Sequence, residues 1–408
     1  MSARAALLML VLAARMAVAD EGHDLFTGQS VAVSDQSAER KLARFPCHRC
    51  HGRDALGGVE GDVPPIDWRF LSRAAAGRPA YTVELFHRAV TEGRDAGGRE
   101  LSRLMPRYAL SEGETAQLAN YLGRLYDLQR QGVSPDEVRI GVADLPFGDD
   151  LSGIYRTTLA KALEDRLGGD HVYGRRINLV PVDPANGEAD SLAVLGLSVA
   201  AAAVFTNRGI PVLAPIGALT GDEDSSIMRG IAPSREALHA ALATRIAEAG
   251  TGPVAILASD DAERHALELA LSLAAPGRPI ASHSNDAEDI IALPGTDLNV
   301  APDWTGRVWI TWQSVAQRMP LPQKAKVMVA IETPRIIDTA IAAQVHPLVI
   351  HAQQVGIMLA EALKAAGRDV TRAKLLQALA DTVLDDIGLD YTQVPLTGTD
   401  HIALIQLR

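Results

Sequence analysis

The sequence has almost no cysteine: two in 408 residues, three positions apart. That excludes a disulfide framework for a chain of this length, so stability must come from core packing or a bound cofactor. Excess positive charge is also missing. The formal net charge is −11, which argues against a nucleic-acid binder working through a broad basic surface. The acidity is uneven, nearly neutral over 20–132 and strong over 133–408, and two unrelated solvated surfaces are the simplest reading of that difference. No apolar run is long enough to span a bilayer, and the longest beyond the N-terminus, Leu192 to Phe205, reads as a buried strand–helix junction. There is no G-x-S-x-G and no Walker lysine motif, nor a G-x-G-x-x-G loop after the first strand. The scattered His239, His265, His283, His346 and His351 form no ligand constellation. His346 and His351 share a helix face, where satisfied helix histidines are the plainer reading. The chain is not expected to be an enzyme.

What is present starts with a targeting segment. Arg4 precedes the apolar stretch Ala5 to Ala14, and Ala17-Val18-Ala19 fits a small-x-small cleavage site. The expectation is export to the periplasm, with cleavage after Ala19 and a signal peptide over 1–19. No cysteine follows to carry a lipid, and no membrane span is expected. The 47% hydrophobic content is ample for packed cores, and the length suits two or three domains.

Cys47-His48-Arg49-Cys50-His51 is C-x-x-C-H, the attachment pattern for covalent haem. Two thiols add across the haem vinyl groups, and the following imidazole, His51, is then held beside the iron. The competing readings are a redox dithiol, half of a zinc site, or chance. A redox pair wants a helix after it, whereas Gly52, Gly57, Gly58 and Gly61 make the chain turn, and a zinc site lacks a second well-spaced histidine. The second axial ligand is expected at Met105, in Leu104-Met105-Pro106, where Pro106 biases the backbone away from helix. His87, within a helical pattern, is the rival. Helices are expected around Ser37 to Arg44, from Thr82 to Glu92 with Gly93 ending it, and after a capping box at Ser111 and Glu114. In the last of these Leu118, Leu122 and Leu125 share one face.

Together these elements make residues 20–131 resemble an all-α class I cytochrome c domain. The resemblance implies one covalent haem c held by Cys47 and Cys50, with His51 and Met105 as iron ligands. It also implies that Pro64 and Pro65 border the haem and that Tyr121 packs in the closing helix.

Gly132-Val133-Ser134-Pro135 reads as a boundary, with a linker over 132–137. Beyond it strands alternate with helices: Val138–Ala143, Ile177–Val182, Ile210–Ala214 and Val254–Ala258, with helices at Leu151–Leu167 and Arg235–Ala249. That alternation predicts parallel α/β sheets with helices on both faces over 138–408. The stretch Gly209-Ile210-Pro211-Val212-Leu213-Ala214-Pro215 and the closing pattern Ile350–Gly367 with Leu375–Leu379 resemble type I periplasmic binding proteins of the branched-chain amino-acid group. The resemblance implies an ABC-transporter substrate-binding-like domain, shorter than a full member, with solute contacts near Ser198, Ala214 and Gly217. The family's hydroxyl residue after the cleft strand is not matched at Gly217 or Ala218. Ser198 is more often a helix-start residue than a ligand contact, and Asp260 and Asp261 read as solvated turn carboxylates.

Two functions compete. In the first, the chain is a periplasmic electron carrier between a dehydrogenase and a terminal acceptor, and the second domain docks or senses. In the alternative, it is a binding or sensor protein for a small organic, amino-acid-like solute, and the haem reports on redox state.

Overall fold

The computed structural model describes residues 20–29, 36–58, 62–75, 77–145, 148–185, 187, 189–332 and 346–407; the export segment lies outside them. The chain divides into two compact units, Met1–Gln131 and Gly132–Arg408. Among the described residues no helix is long and apolar enough to cross a membrane.

The described part of the first unit is helical. Its elements are α1 (Glu21–Thr27), α2 (Gln36–Arg44), α3 (Cys47–His51), α4 (Trp68–Leu71), α5 (Val83–Thr91) and α6 (Glu112–Gln129). Local chemistry sets the ends. Thr82 caps α5 by accepting from Leu85 N–H, and Ser111 and Glu114 cap α6 reciprocally, which satisfies two otherwise orphaned donors. The apolar stripe of α6 (Leu118, Leu122, Leu125) packs with Leu25, Phe26, Leu42 and Phe86 into one core. Each such side chain contributes about 1.5–3 kcal/mol when fully buried. Helix α1 was not expected from the sequence. It crosses α6 at Gly22, where a Cβ would lie 2.6 Å from Tyr121 Cβ and collide with Gln117 O. Only a glycine lets the two backbones approach that closely. Tyr121 is buried in α6, with its ring 5.5 Å from that of Phe26.

The second unit is α/β. Its strands are β1 (Glu137–Ala143), β2 (His171–Val172), β3 (Arg175–Val182), β4 (Val194–Leu195), β5 (Val212–Leu213), β6 (Met228–Arg229), β7 (Val254–Leu257), β8 (Asp289–Ala292), β9 (Arg307–Thr311), β10 (Lys326–Ile331), β11 (Val383–Leu384), β12 (Leu389–Asp390) and β13 (Ala403–Gln406). Its helices are α7 (Asp149–Leu167), α8 (Val199–Thr206), α9 (Arg235–Ala249), α10 (Asp261–Ala274), α11 (Trp312–Ala316), α12 (Pro347–Ala366) and α13 (Arg372–Ala380).

The strands form a six-stranded sheet, β2-β3-β1-β4-β5-β6, and a five-stranded sheet, β13-β10-β9-β8-β7, with β11 and β12 paired separately. Pairing is parallel except for the β2–β3 hairpin and the edge pair β10–β13 in the two large sheets. Register is set by apolar side chains: Val138 faces Ile177 and Ile140 faces Leu179 across β1 and β3. Strands buried on both faces by crossover helices read as apolar runs, as β4 and β5 do. Helices α7 and α12 pack tightly because Gly356 lets the backbones meet; a Cβ there would lie 2.7 Å from both Ala162 Cβ and Leu159 O.

Two expectations need correction. The stretch 132–137 is not a free linker. Arg139 N–H donates to Gly132 O, Ser134 N–H donates to Glu137 O, and β1 already begins at Glu137. The strand expected over Ile210–Ala214 shortens to Val212–Leu213, because Ala214 turns to a positive φ of 47° and leaves the strand.

Candidate functional site

The C-x-x-C-H motif folds into the single helical turn α3, entered from Pro46 and closed by Gly52 at φ 79°. Both thiols are free of disulfide and half-buried. Burial pushes the Cys47 thiol up to about 12, so as a bare group it is a protonated, inert thiol rather than a ready redox nucleophile. His51 is buried, and its Nδ1 lies 2.9 Å from Pro64 O. A carbonyl can only accept, so Nδ1 carries the hydrogen and Nε2 is left with its lone pair. This is how proteins orient a ligating imidazole. Burial lowers the His51 pKa against the opposing pull of that hydrogen bond, which keeps the ring neutral.

Met105 and Cys47 are both half-buried residues packed on the same core cluster, the one that also holds Tyr108 and Phe86. The backbone around Met105 is a turn rather than a helix. Met105 N–H donates to Ser102 O at 3.2 Å, and Arg107 donates to Met105 O. Tyr108 ties the loop back, its hydroxyl donating to Phe45 O at 2.5 Å just before the motif. The rival ligand His87 is engaged elsewhere, with Nδ1 2.9 Å from Thr115 Oγ1 at the α5–α6 contact. The donor set therefore fits a haem. It offers two thiols one turn apart and outside any disulfide, an imidazole fixed by its outer nitrogen, and a thioether on the same apolar core. Among the described residues no group of three His, Cys, Asp or Glu side chains is arranged to hold a metal ion.

In the second unit the carboxyl ends of the parallel strands are where ligands enter such sheets. Three sequence candidates lie there, and none is a plain solute contact. Ser198 caps α8, its Oγ accepting from Ala201 N–H at 3.2 Å. Ala214 is fully buried and its N–H donates to Arg229 O at 2.6 Å, so it has no free donor for a solute. Gly217 is partly open at φ 123°, with Val199 and Gln313 side chains 3.2 and 3.3 Å from where its Cβ would be. Gln313 follows β9 of the other sheet, so this position brings the two sheets' strand ends together. Asp260 caps α10 through Glu263 N–H at 2.7 Å, and Asp261 is an exposed partner of Arg264. His346 and His351 do not share a helix face: His346 caps α12 from outside, whereas His351 is buried inside it.

Sequence reading missed the buried charges at these edges, Glu332 and Arg229, and read His351 as a satisfied helix histidine, as it is. His351 Nδ1 lies 3.2 Å from the Tyr155 hydroxyl and its ring stands beside Trp312. Burial holds its pKa down at about 4. Glu332, just past β10, is buried with one carboxylate oxygen unpartnered. Burial and the nearby Glu263 push its pKa up to about 8. Arg229 ends β6 with no hydrogen-bond partner at Nε or Nη1. Lone charged residues in apolar surroundings carry no periodic signal, which is why pattern reading passed over them.

No protein-family model matches the chain, and no curated protein matches it. Among solved structures, a fatty acid ABC transporter substrate-binding protein from Thermomonospora curvata is similar at TM-score 0.52 and 14% identity, over 68% of this chain and 90% of that one. The second unit has the type I periplasmic-binding-protein fold. A substrate-binding periplasmic protein from Ralstonia solanacearum is similar at TM-score 0.49 and 16% identity, over 66% and 97% of the two chains. Both neighbours are named as substrate-binding proteins. The likeness concerns the α/β fold and leaves the haem reading to the first unit's own residues.

Proposed function

We propose that the chain is an exported binding protein whose second unit takes up a small organic solute and whose first unit carries one covalent haem c. The observation that carries the solute reading is the type I periplasmic-binding-protein fold of the second unit, with polar groups buried at the carboxyl ends of both sheets. Folds of this class bind solutes at such strand ends. The neighbour from Thermomonospora curvata is named for fatty acids, which supports an organic solute here. Mass spectrometry of small molecules released on unfolding the periplasm-purified protein tests the reading. A stoichiometric organic compound is expected. Finding none, together with no thermal shift from any fraction of a metabolite extract, overturns it.

The haem reading rests on a separate observation, the His51 Nδ1 to Pro64 O hydrogen bond beside two thiols outside any disulfide. In this proposal Cys47 and Cys50 attach the group, and His51 and Met105 hold the iron. The bound group would supply a one-electron couple. The chain's own residues position and protect it: Pro64 O fixes the imidazole, Tyr108 ties down the ligand loop, and the apolar core excludes water. A redox partner in the periplasm, a dehydrogenase or a terminal acceptor, follows from this reading. A pyridine haemochrome assay on protein made with a haem-maturation system is the direct check. Covalent haem c at one per chain is expected, and its absence sinks the assignment. Met105→Ala should abolish a weak band near ~695 nm in the oxidised spectrum and lower the potential, since thioether ligation favours ferrous iron. An unchanged spectrum and potential would remove Met105 from the ligand set.

A further inference from the structure

Arg229 is the anomaly among the buried charges of the second unit. Every comparable guanidinium there has partners. Arg372 donates to Gly209 O and Ser191 O, Arg175 donates to Arg368 O, and Arg278 and Arg307 share Asp289. Arg229 is 5% exposed, yet its Nε and Nη1 are buried without a hydrogen bond. Among the described residues no carboxylate lies within ion-pair distance of it. Asp224 is the carboxylate whose charge it feels, but Asp224 Oδ1 accepts from Ser226 N–H and Oγ. Burial draws the Arg229 pKa down from its ordinary range, though a guanidinium stays charged in any accessible pH. An uncompensated buried charge is among the more costly features a fold carries. It persists where something outside the chain neutralises it.

Its place in the fold says what that is. Arg229 is the last residue of β6, paired with Leu213 of β5 at the carboxyl end of the six-stranded sheet. Ala214 N–H is spent on Arg229 O, and Ser198 Oγ is held at the start of α8 by accepting from Ala201 N–H. No hydroxyl stands at Gly217. Of the groups expected to grip a solute anion at this edge, a hydroxyl at Gly217 is absent, the Ala214 N–H is occupied and Ser198 is held in a helix cap, whereas the guanidinium is buried with two nitrogens unspent. Tyr391 borders it, its hydroxyl donating to Gly230 O at 2.7 Å, so the phenol is anchored to the backbone beside the arginine. One positive charge balances one negative charge, and the planar fork of a guanidinium matches a carboxylate.

We propose that Arg229 is the anion-recognition residue of the second unit, taking the carboxylate of a small organic monoacid. The inference rests on the solute-binding reading and narrows it to a substrate class. Calorimetric titration of the full-length protein, freed of bound solute by unfolding and refolding, tests it with lactate, benzoate and octanoate against their amides. At least one acid should bind, with its amide at least ~50-fold weaker. Arg229→Met should weaken the acid by a similar factor while the ligand-free melting temperature holds or rises, because an unpaired buried charge has been replaced by an apolar chain. Arg229→Lys should fall between, keeping the charge and losing the fork. Equal binding of acid and amide, or acid binding that survives Arg229→Met, overturns the anion site and leaves solute binding standing. A melting temperature lowered by more than ~5 °C in Arg229→Met shows a structural arginine and also overturns it. If none of the six compounds binds, the monoacid assignment fails, and the extraction experiment above decides solute binding on its own.

Discussion

Glu332 shows at the residue scale how one buried acid shapes the response to pH. Its carboxyl is 1% exposed with one oxygen unpartnered, and its pKa stands at about 8 against an ordinary 4.5. Between those values the folded chain holds a proton that the unfolded chain has released. Stability therefore falls as pH rises from about 4.5 to about 8, by an amount on the order of a few kcal/mol. His239 and His351 act in the opposite sense. Burial, with Arg235 adding to it at His239, holds both near about 4, so stability falls as pH drops from about 6.5 towards 4. Glu332→Gln should flatten the alkaline side alone, raising the melting temperature at pH 8 and leaving it nearly unchanged at pH 4. A variant that loses stability equally at both pH values would show that the carboxyl is not the source.

At the scale of elements, the second sheet is pinned by a buried polar node as well as by apolar packing. Asp289 opens β8 with no exposure and accepts from Arg307 at 2.7 Å, from Trp309 Nε1 at 2.7 Å, and from Arg278. Arg278 also donates to Gly252 O at 2.9 Å, so the loop before β8, the start of β7 and strand β9 converge on a single carboxylate. Removing one partner of such a set leaves the others buried and unpaired. Asp289→Ala should cost about 3–5 kcal/mol in urea unfolding, whereas Arg264→Ala, which removes an exposed pair with Asp261, should cost under ~1 kcal/mol. Similar losses for the two would mean the node is no stronger than a surface pair.

For the whole molecule the decisive feature is that each unit has its own core: Leu25, Leu42, Leu118 and Leu122 in the first, Val138, Ile140, Leu159 and Val355 in the second. Two cores give two cooperative units. Differential scanning calorimetry of the matured protein should show two transitions. Replacing both Cys47 and Cys50 by serine should lower only one of them, because the haem proposed for the first unit would stabilise that unit alone. A single transition that shifts as a whole would show that the units melt together.

Much of this architecture was legible in the chain itself, because it rests on short-range rules. Capping residues such as Ser111 and Glu114, the α6 stripe of leucines, and the alternation of apolar strands with helices after Gly132 are local patterns with local causes. Other features depend on what the folded chain brings near. The sequence could not show that Gly22 is small for the sake of Tyr121, or that Ala214 spends its N–H on Arg229 O. Nor could it show that His51 leans on Pro64, or that Arg229 and Glu332 end their strands buried with polar atoms unpaired. Periodicity records which face of an element is apolar. Only tertiary packing determines which charges that burial leaves unmatched, and those charges mark the candidate binding edge.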